Sequence, residues 1–484
     1  MGVAAATVWE CRASATAAMV NGGGYVTGAS GTDYSQQDAA QYNLTGCTSA
    51  GAGNTLLTAS AASDMVGNIA KAVSGTNVTV GWFEITSVVA GVSITFSTNG
   101  AGTSIATGVV AAGAVNIGGA LDLTGSGIDT WLEQVIGGNT GWIKNGTYTH
   151  AANTSVSSVL STSTAPSNFR GYNATRGDTC TGANRPLFAM GSNTFVGGTY
   201  QNWESVRVTG ISSTPFVGGT GSVMCNMSGI NTSTTAGRPG LRGGADGIVQ
   251  DNEGVSLAGP AIDTVTSGTR IIGNYCHDSS IGISLGSSRD QAIGNIIHSC
   301  TVAGIDENSA SGLANIYANT IYGRESQEGV GIRLANTAPG NNLVSNIVYG
   351  CATGISQTTA QLKSNVGRNN VLYNNGTNAT KYTLDATDTT GTDPAFTAAA
   401  QLTGTTATIS GSTLTQTGAF TANVTDNVSY LHVISGTGAT VGIYPITSHT
   451  NDVLTVTGTI GTNATADKVW YVHYGTNFLP TGSV

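Results

Sequence analysis

A four-residue phrase constrains this chain more than anything else in it. Asn, any residue, an aliphatic residue or Cys, then His or Tyr recur five times, as Asn274-Tyr-Cys276-His277, Asn295-Ile-Ile297-His298, Asn319-Thr-Ile321-Tyr322, Asn346-Ile-Val348-Tyr349 and Asn370-Val-Leu372-Tyr373, at steps of 21, 24, 27 and 24 residues. A second mark, Gly-Ile, keeps pace at Gly282-Ile283, Gly304-Ile305, Gly331-Ile332 and Gly354-Ile355. Self-similarity at this period means a stack, because one repeat cannot bury its apolar face alone and a column of repeats can. The apolar stretches are short, rich in Ile and Val, and broken by Gly, Asn and Ser. That pattern suits short strands joined by tight turns and disfavours helical repeats.

Coils of this length, laid on one another at the usual strand spacing of about 4.8 Å, form a right-handed parallel β-helix. Asn then sits above Asn in a hydrogen-bonded ladder, with Ile, Val and Leu inside. The fourth position becomes a column of His277, His298, Tyr322, Tyr349 and Tyr373. Stacking alone accounts for such a column, at about 0.5–1.5 kcal/mol a pair. Facing outward, it would also offer a shelf for sugar rings, with Tyr322, Tyr349, Tyr373 and His298 as the glycan-binding candidates. Facing inward, it offers none.

The remaining sequence flanks this stack. Residues 1–127 read as an extended arm followed by a β module, 128–385 as the β-helix, and 386–484 as a second β module. The Gly-studded arm carries Tyr34 and Tyr42 as pins; it serves either to attach the chain to a neighbouring subunit or larger particle, or to cover the end of the helix. Asp64-Met-Val66-Gly-Asn-Ile69 and Thr79-Val80-Gly81-Trp-Phe83-Glu-Ile85-Thr86-Ser87 match Asp426-Asn-Val428-Ser-Tyr-Leu431 and Thr440-Val441-Gly442-Ile-Tyr444-Pro-Ile446-Thr447-Ser448, an internal duplication. Both copies alternate apolar and polar residues between Gly-rich turns, which predicts small antiparallel sheets. They would shield the open edges of the stack. Ile128 to Ile136 has helical spacing before Gly137-Gly138, so one short helix is expected to plug the first coil. From 150 to 270 the coils lose regularity, and Arg176-Gly-Asp178 and Thr232 to Arg238 read as projecting loops, where binding usually sits. The Thr, Asn and Asp stretch 376–393 reads as the junction to the second module.

Charge narrows the function classes. Charged residues are only 9% of the chain, the formal net charge is −9, and just 17 Lys and Arg are spread over 484 residues, so nucleic acid, which needs clustered cations, is not an expected partner. No apolar run approaches the roughly 18 residues that cross a bilayer, and the N-terminal residues lack the basic start and apolar core of a secretory leader. The seven cysteines are odd in number and contain no Cys-x-x-Cys. They read as small buried or turn residues of a chain made in a reducing cytoplasm, and neither a metal nor a cofactor is expected.

Catalysis would have to come from scarce carboxylates. Hydrolysis of a glycoside needs two of them roughly 5–9 Å apart. The candidates are Asp246, Asp251, Glu253, Asp278, Asp290, Asp306, Glu307, Glu325 and Glu328. Asp306 and Glu307 are adjacent and would point to opposite faces of a strand. A set of Asp278, Glu325 and Arg324 from neighbouring coils, with His277 or His298 as acid or base, is the catalytic candidate. Turn caps and solvated rim charges explain the same residues without catalysis. A lyase would need a carboxylate cluster for Ca²⁺ with a basic residue beside it, and the sequence has no Asp-rich cluster.

Trp142-Ile-Lys-Asn-Gly-Thr-Tyr148, Arg170-Gly-Tyr172, Arg185-Pro186 and the Asn and Gly-Ile coils resemble the pectate-lyase-like right-handed β-helix proteins over about half the chain. Asn21-Gly-Gly-Gly-Tyr25 and the run from Gly28 to Gln37 are similar to β-helix virion proteins of tailed bacteriophages. This resemblance implies a homotrimeric tailspike or other virion surface protein. It would be made without a leader in the host cytoplasm, contact other virion proteins and bind host cell-surface glycan. A capsid-decorating protein with a passive helix, and a free polysaccharide lyase or glycosidase, are the alternatives, since this fold serves all of them.

Overall fold

The computed structural model describes residues 4–16, 19–122, 131, 133–150, 152–155, 161–309, 312–323, 329–334, 340–358, 365–391, 402–420, 424, 429–440, 442–462, 465–466 and 468–474. The chain divides into two compact units, Met1–Tyr275 with Ile283–Gln291, and Cys276–Gly282 with Ala292–Val484. Each contains coils of a parallel β-helix and one antiparallel module.

In the first unit every coil runs through three short strands, and each strand pairs in parallel with its counterpart one coil on. Asn202 pairs with Val223, Arg207 with Ser228 and Phe216 with Leu241. Alternation along a strand sends every second side chain inward, which buries Trp203, Met224, Val249 and Ile271 in one line. The early coils fill their interior with rings. Phe169 stacks on Trp203 with centroids 4.2 Å apart and Phe195 on Phe216 at 5.0 Å. Aromatic filling explains why the Asn and Gly-Ile marks are missing there, since rings of this size demand different neighbours from coil to coil.

The arm becomes part of the first unit's β-helix. Thr7–Cys11 pairs in parallel with Thr140–Lys144 and antiparallel with Gly24–Val26, so it covers the first strand edge. Tyr34 and Tyr42 do act as pins, both donating to Asp64 Oδ2 at 2.7 and 2.8 Å. Of the expected plug helix, Trp131, Glu133 and Gln134 are helical, while 128–130 and Leu132 lie outside the described residues. Trp131 is buried, its ring 5.5 Å from that of Phe169. Gly141 leaves the room for it: a Cβ there would stand 2.7 Å from the Trp131 ring.

A buried charge cluster fastens the arm. Glu10 receives Arg12 Nε at 3.1 Å, Arg176 Nε at 2.7 Å and the Tyr172 hydroxyl, and Arg176 also reaches Asp33 at 2.9 Å and Ser35 at 2.7 Å. Burial pushes the Glu10 carboxyl up, against the pull of the two guanidiniums. The Arg176-Gly-Asp178 segment, expected to project as a binding loop, is therefore a strap. Asp178 caps its turn, accepting the backbone N–H groups of Asn173, Ala174 and Thr175.

In the second unit the repeat explains itself. Each ladder Asn accepts, on Oδ1, both the backbone N–H and the side-chain N–H of the Asn one coil before: Asn295 onto Asn319 at 3.0 and 2.8 Å, Asn319 onto Asn346 at 3.1 and 3.0 Å, and Asn346 onto Asn370 at 3.0 and 2.9 Å. The last step lands on Asp388, at 2.8 and 2.9 Å. A terminal member only accepts, so a carboxylate suits it. Parallel pairing accordingly continues past residue 385, with Val371–Tyr373 pairing with Thr389–Thr390, so part of the stretch read as a junction is a final coil. The Gly of Gly-Ile is steric: a Cβ on Gly304 would lie 2.7 Å from Gly331 O, and one on Gly331 would lie 2.6 Å from Gly354 O and collide with Val348.

The duplication is a duplication of topology. Tyr42–Cys47, Thr55–Leu57, Ile69–Val78, Gly81–Val89, Ser93–Phe96 and Ala106–Ile117 form a sheet in the order first, sixth, third, fourth, fifth, second. Its two edges meet where Thr48 and Leu57 exchange hydrogen bonds of 3.1 and 2.7 Å. Leu402–Ser410, Thr413–Thr415, Ser429–Ser435, Gly442–His449, Val453–Val456 and Lys468–Tyr474 close into a barrel with the same cyclic order. Leu56 pairs with Ile94 in the first copy as Leu414 does with Leu454 in the second, all four buried. All seven cysteines are free thiols.

Candidate functional site

The structure gathers the expected Tyr column. Tyr322 and Tyr349 stack with centroids 5.1 Å apart at 9°, and Tyr349 and Tyr373 at 5.7 Å and 27°. The rings lie outside because Ile321, Val348 and Leu372 take the inward positions beside them, leaving the three tyrosines half-buried. A column that stacks on itself spends the ring faces, so the surface offered is a row of edges and hydroxyls. His298 departs from the expectation. It is in register with Tyr322 and its ring stacks on His277 at 5.3 Å, but at 2% exposure it is not displayed.

The catalytic candidates fare differently. Arg324 and Glu325, with Glu328, lie outside the described residues. Asp278 sits in a left-handed turn at φ 47°, its Oδ2 2.9 Å from Nδ1 of His277. Asp306 points outward to a two-pronged pair with Arg333, both contacts 2.7 Å, while Glu307 points inward and accepts from Asn341 at 3.3 Å. The opposite faces read from their adjacency are the observed ones. Asp290 has a perturbed acidity, pushed up to about 6 by burial, yet it is a turn cap. It is fully buried and accepts Thr264 Oγ1 at 2.6 Å and the backbone N–H groups of Thr269 and Ser287 at 3.0 Å each.

A concavity lies elsewhere, on the outer face of the first unit. A groove of about 360 Å³ is lined by Ser163, Pro166, Tyr200, Asn202, Thr220, Gly221, Val223, Asp246, Ile248 and Arg270. Its floor is one file of register partners: Asn202 beside Val223, Val223 beside Ile248, and Ile248 beside Arg270. These are the outward residues of strands whose inward neighbours are Trp203, Met224, Val249 and Ile271.

One wall is made by a repeated turn position. Tyr200, Gly221, Asp246 and Gly268 each adopt a left-handed φ, at 52, 64, 51 and 82°. Each of the first three donates its N–H one coil on, to Thr220, Ala245 and Ser267, at 2.8, 2.7 and 3.1 Å. Large and small residues alternate along this file for a reason. A Cβ on Gly221 would collide with the Tyr200 ring, and one on Gly268 with the Asp246 carboxylate. Each glycine therefore gives the side chain of the preceding coil somewhere to lie. The result is two aliphatic residues and a proline ring, rimmed by a phenol, two hydroxyls, an amide, one carboxylate and one guanidinium. Apolar floor and polar rim are present in comparable measure, and convergent polar groups around an apolar surface are a general feature of small-molecule sites.

Of these residues the sequence singled out Asp246, as a carboxylate and not as part of a groove. The available signal was faint: Tyr200 is followed 21 residues later by Gly221 and Asp246 is followed 22 later by Gly268, a large-then-glycine alternation at the coil period.

A family model described as "Periplasmic copper-binding protein (NosD)" matches residues 193–393. No curated protein matches the sequence. Among solved structures, the chain is similar to pectate lyase Pel9A, with 13% identity, 55% of this chain and 76% of that chain covered, and a TM-score of 0.38. The catalytic unit of a GH87 α-1,3-glucanase from Streptomyces thermodiastaticus matches at 12% identity over 73% of this chain and 86% of that one, with a TM-score of 0.31. A mutant tailspike protein of E. coli bacteriophage HK620, in complex with a pentasaccharide, matches at 11% identity over 70% of this chain and 82% of that one, with a TM-score of 0.27. The copper in the family description does not fit the residues present. Among the described residues no group of three or more His, Cys, Asp or Glu is placed to hold a metal ion. Burial pushes the Cys351 thiol up to about 12 and the Cys276 thiol well above its ordinary value, which keeps both protonated.

Proposed function

We propose that this protein is a carbohydrate-binding β-helix of a bacteriophage virion surface, tailspike-like and homotrimeric, that attaches the particle to cell-surface polysaccharide. On this reading it is made in the host cytoplasm. The observation that carries the binding reading is the groove at Tyr200, Val223 and Ile248, where an apolar floor is ringed by hydrogen-bonding groups. Sugars have that duality, with C–H faces and hydroxyl edges. Binding fits better than cleavage because the groove lining holds one carboxylate, Asp246, and two-carboxylate hydrolysis needs a pair roughly 5–9 Å apart. In the second unit, the Tyr322, Tyr349 and Tyr373 edges and hydroxyls offer a separate contact surface for sugar hydroxyls.

The test is titration of purified protein with bacterial surface oligosaccharides, comparing wild type with Tyr200→Ala. Saturable binding weakened at least about tenfold by the substitution supports the reading; its absence across a broad panel refutes it. A capsid-decorating role is the second reading, favoured by the two modules of one cyclic strand order, which suit paired contacts to neighbouring subunits. Immunogold labelling of intact particles separates the two by tail or head location. Native mass spectrometry tests the trimer.

A further inference from the structure

The composition of the groove floor selects among sugars, and this selection rests on the groove being a carbohydrate site. We infer that the groove takes a short oligosaccharide bearing methyl groups, that is, 6-deoxyhexose or N-acetylhexosamine units, laid along the direction in which the coils stack. The direction follows from register. Asn202, Val223, Ile248 and Arg270 occupy four successive strands of one sheet, so the file spans three gaps of about 4.8 Å, roughly 14 Å. A linear ligand of a few rings matches that length.

The chemistry follows from what stands where. The two central positions, Val223 and Ile248, are branched aliphatics without a donor or acceptor. A hydroxyl pressed onto them gives up water and receives nothing in exchange, whereas a methyl group gains by leaving water. Pro166 and the Tyr200 ring extend the apolar surface beside that floor. The polar groups stand at the ends and rim. Asn202 and Arg270 terminate the file, and Ser163, Thr220 and Asp246 stand on the margins. Asn202 spends a side-chain N–H on Asn168 Oδ1 at 3.0 Å, which leaves its carbonyl oxygen as an acceptor. Arg270 supplies donors for a ring hydroxyl or an acetamido carbonyl at the other end. A ligand uniformly covered in hydroxyls would find no partners at the centre. One with a methyl at its middle unit and polar groups at both ends would satisfy every position.

The experiment uses the full-length protein and three sets of oligosaccharides of equal length, containing a 6-deoxyhexose, an N-acetylhexosamine, or plain hexoses only, titrated calorimetrically. The expected result is that at least one methyl-bearing class binds about fourfold or more tighter than plain hexose, the ratio expected for one buried methyl. The two methyl-bearing arms identify which source is used. Val223→Thr, a near-isosteric change, and Ile248→Thr, which also shortens the side chain by one carbon, both on an outward face, should each reduce that preference, with folding confirmed by an unchanged unfolding midpoint. Val223→Ala serves as the second variant should either Thr substitution perturb the strand. Equal or tighter binding of plain hexoses overturns the inference and leaves the carbohydrate reading standing. A methyl preference that survives all three substitutions also overturns it, since the methyl then sits elsewhere. No binding in any arm removes both.

Discussion

Removing one amide from the Asn ladder should cost more than any surface change in this protein, and Asn346→Ala is the sharpest case. Asn346 is fully buried. Its Oδ1 accepts the backbone and side-chain N–H groups of Asn319 at 3.1 and 3.0 Å, and its Nδ2 donates to Asn370 Oδ1 at 2.9 Å and Ile316 O at 2.8 Å. Alanine leaves the buried Asn319 N–H without its ladder acceptor, a penalty of about 1–3 kcal/mol. The other three bonds lose one partner each, but those groups keep others. The Asn319 side chain still donates to Ala292 O at 2.9 Å and Asn370 Oδ1 still accepts Asn346 N–H at 3.0 Å. Adding about 0.5–1 kcal/mol for each of these three gives a total of about 2.5–6 kcal/mol. Asn346→Asp should be comparably damaging, because it keeps the acceptor but sets a carboxylate oxygen against Asn370 Oδ1 and Ile316 O. Asp388→Asn, at the ladder's end, should cost under about 1 kcal/mol, since it forfeits only the exposed bond from Asp385 N–H. Urea unfolding followed by far-ultraviolet circular dichroism measures all three. A cost below about 1 kcal/mol for Asn346→Ala, or equal costs for Asn346→Asp and Asp388→Asn, would refute the ladder as a source of stability.

Other consequences can be checked in the same way. Gly331→Ala places a methyl against Val348 and 2.6 Å from Gly354 O, and should destabilise by about 1–3 kcal/mol in the same urea assay. Gly221→Ala displaces the Tyr200 ring that now covers Gly221, and should weaken glycan binding severalfold although position 221 is itself only a groove margin. Glu10→Gln leaves Arg12 and Arg176 facing a neutral amide in a buried site, a loss of about 3 kcal/mol; limited proteolysis should then cut the arm before residue 40 faster than in wild type. Two groups set opposing pH slopes. Buried Asp290, at about 6, lies above its unfolded value, so its contribution is complete below about pH 4 and is lost as pH rises to 6. Buried His150, lowered to about 4 by desolvation with neither ring nitrogen bonded, contributes fully above about pH 6.5 and loses that as pH falls to 4. His150→Phe should therefore unmask a stability that declines between pH 4 and 6 by about 2–3 kcal/mol. A variant whose stability rises over that range would contradict the assignment.

The sequence by itself determined the parallel coils, the ladder, the Tyr column and the paired modules. Every coil of the second unit puts the same demand on the same position, so Asn295, Asn319, Asn346 and Asn370 write the architecture as a period. Gly304 and Gly331 do likewise, because each must admit the chain of the next coil. What only the tertiary structure decided involves unlike residues. Asp388 closes a ladder of amides, and Arg176 turns a presumed binding loop into a strap on Glu10. The groove is the clearest instance. Asn202, Val223, Ile248 and Arg270 share one file through backbone register, and register equalises position without requiring likeness. A stack records in its sequence what all its coils need in common, and a binding surface is made where they differ.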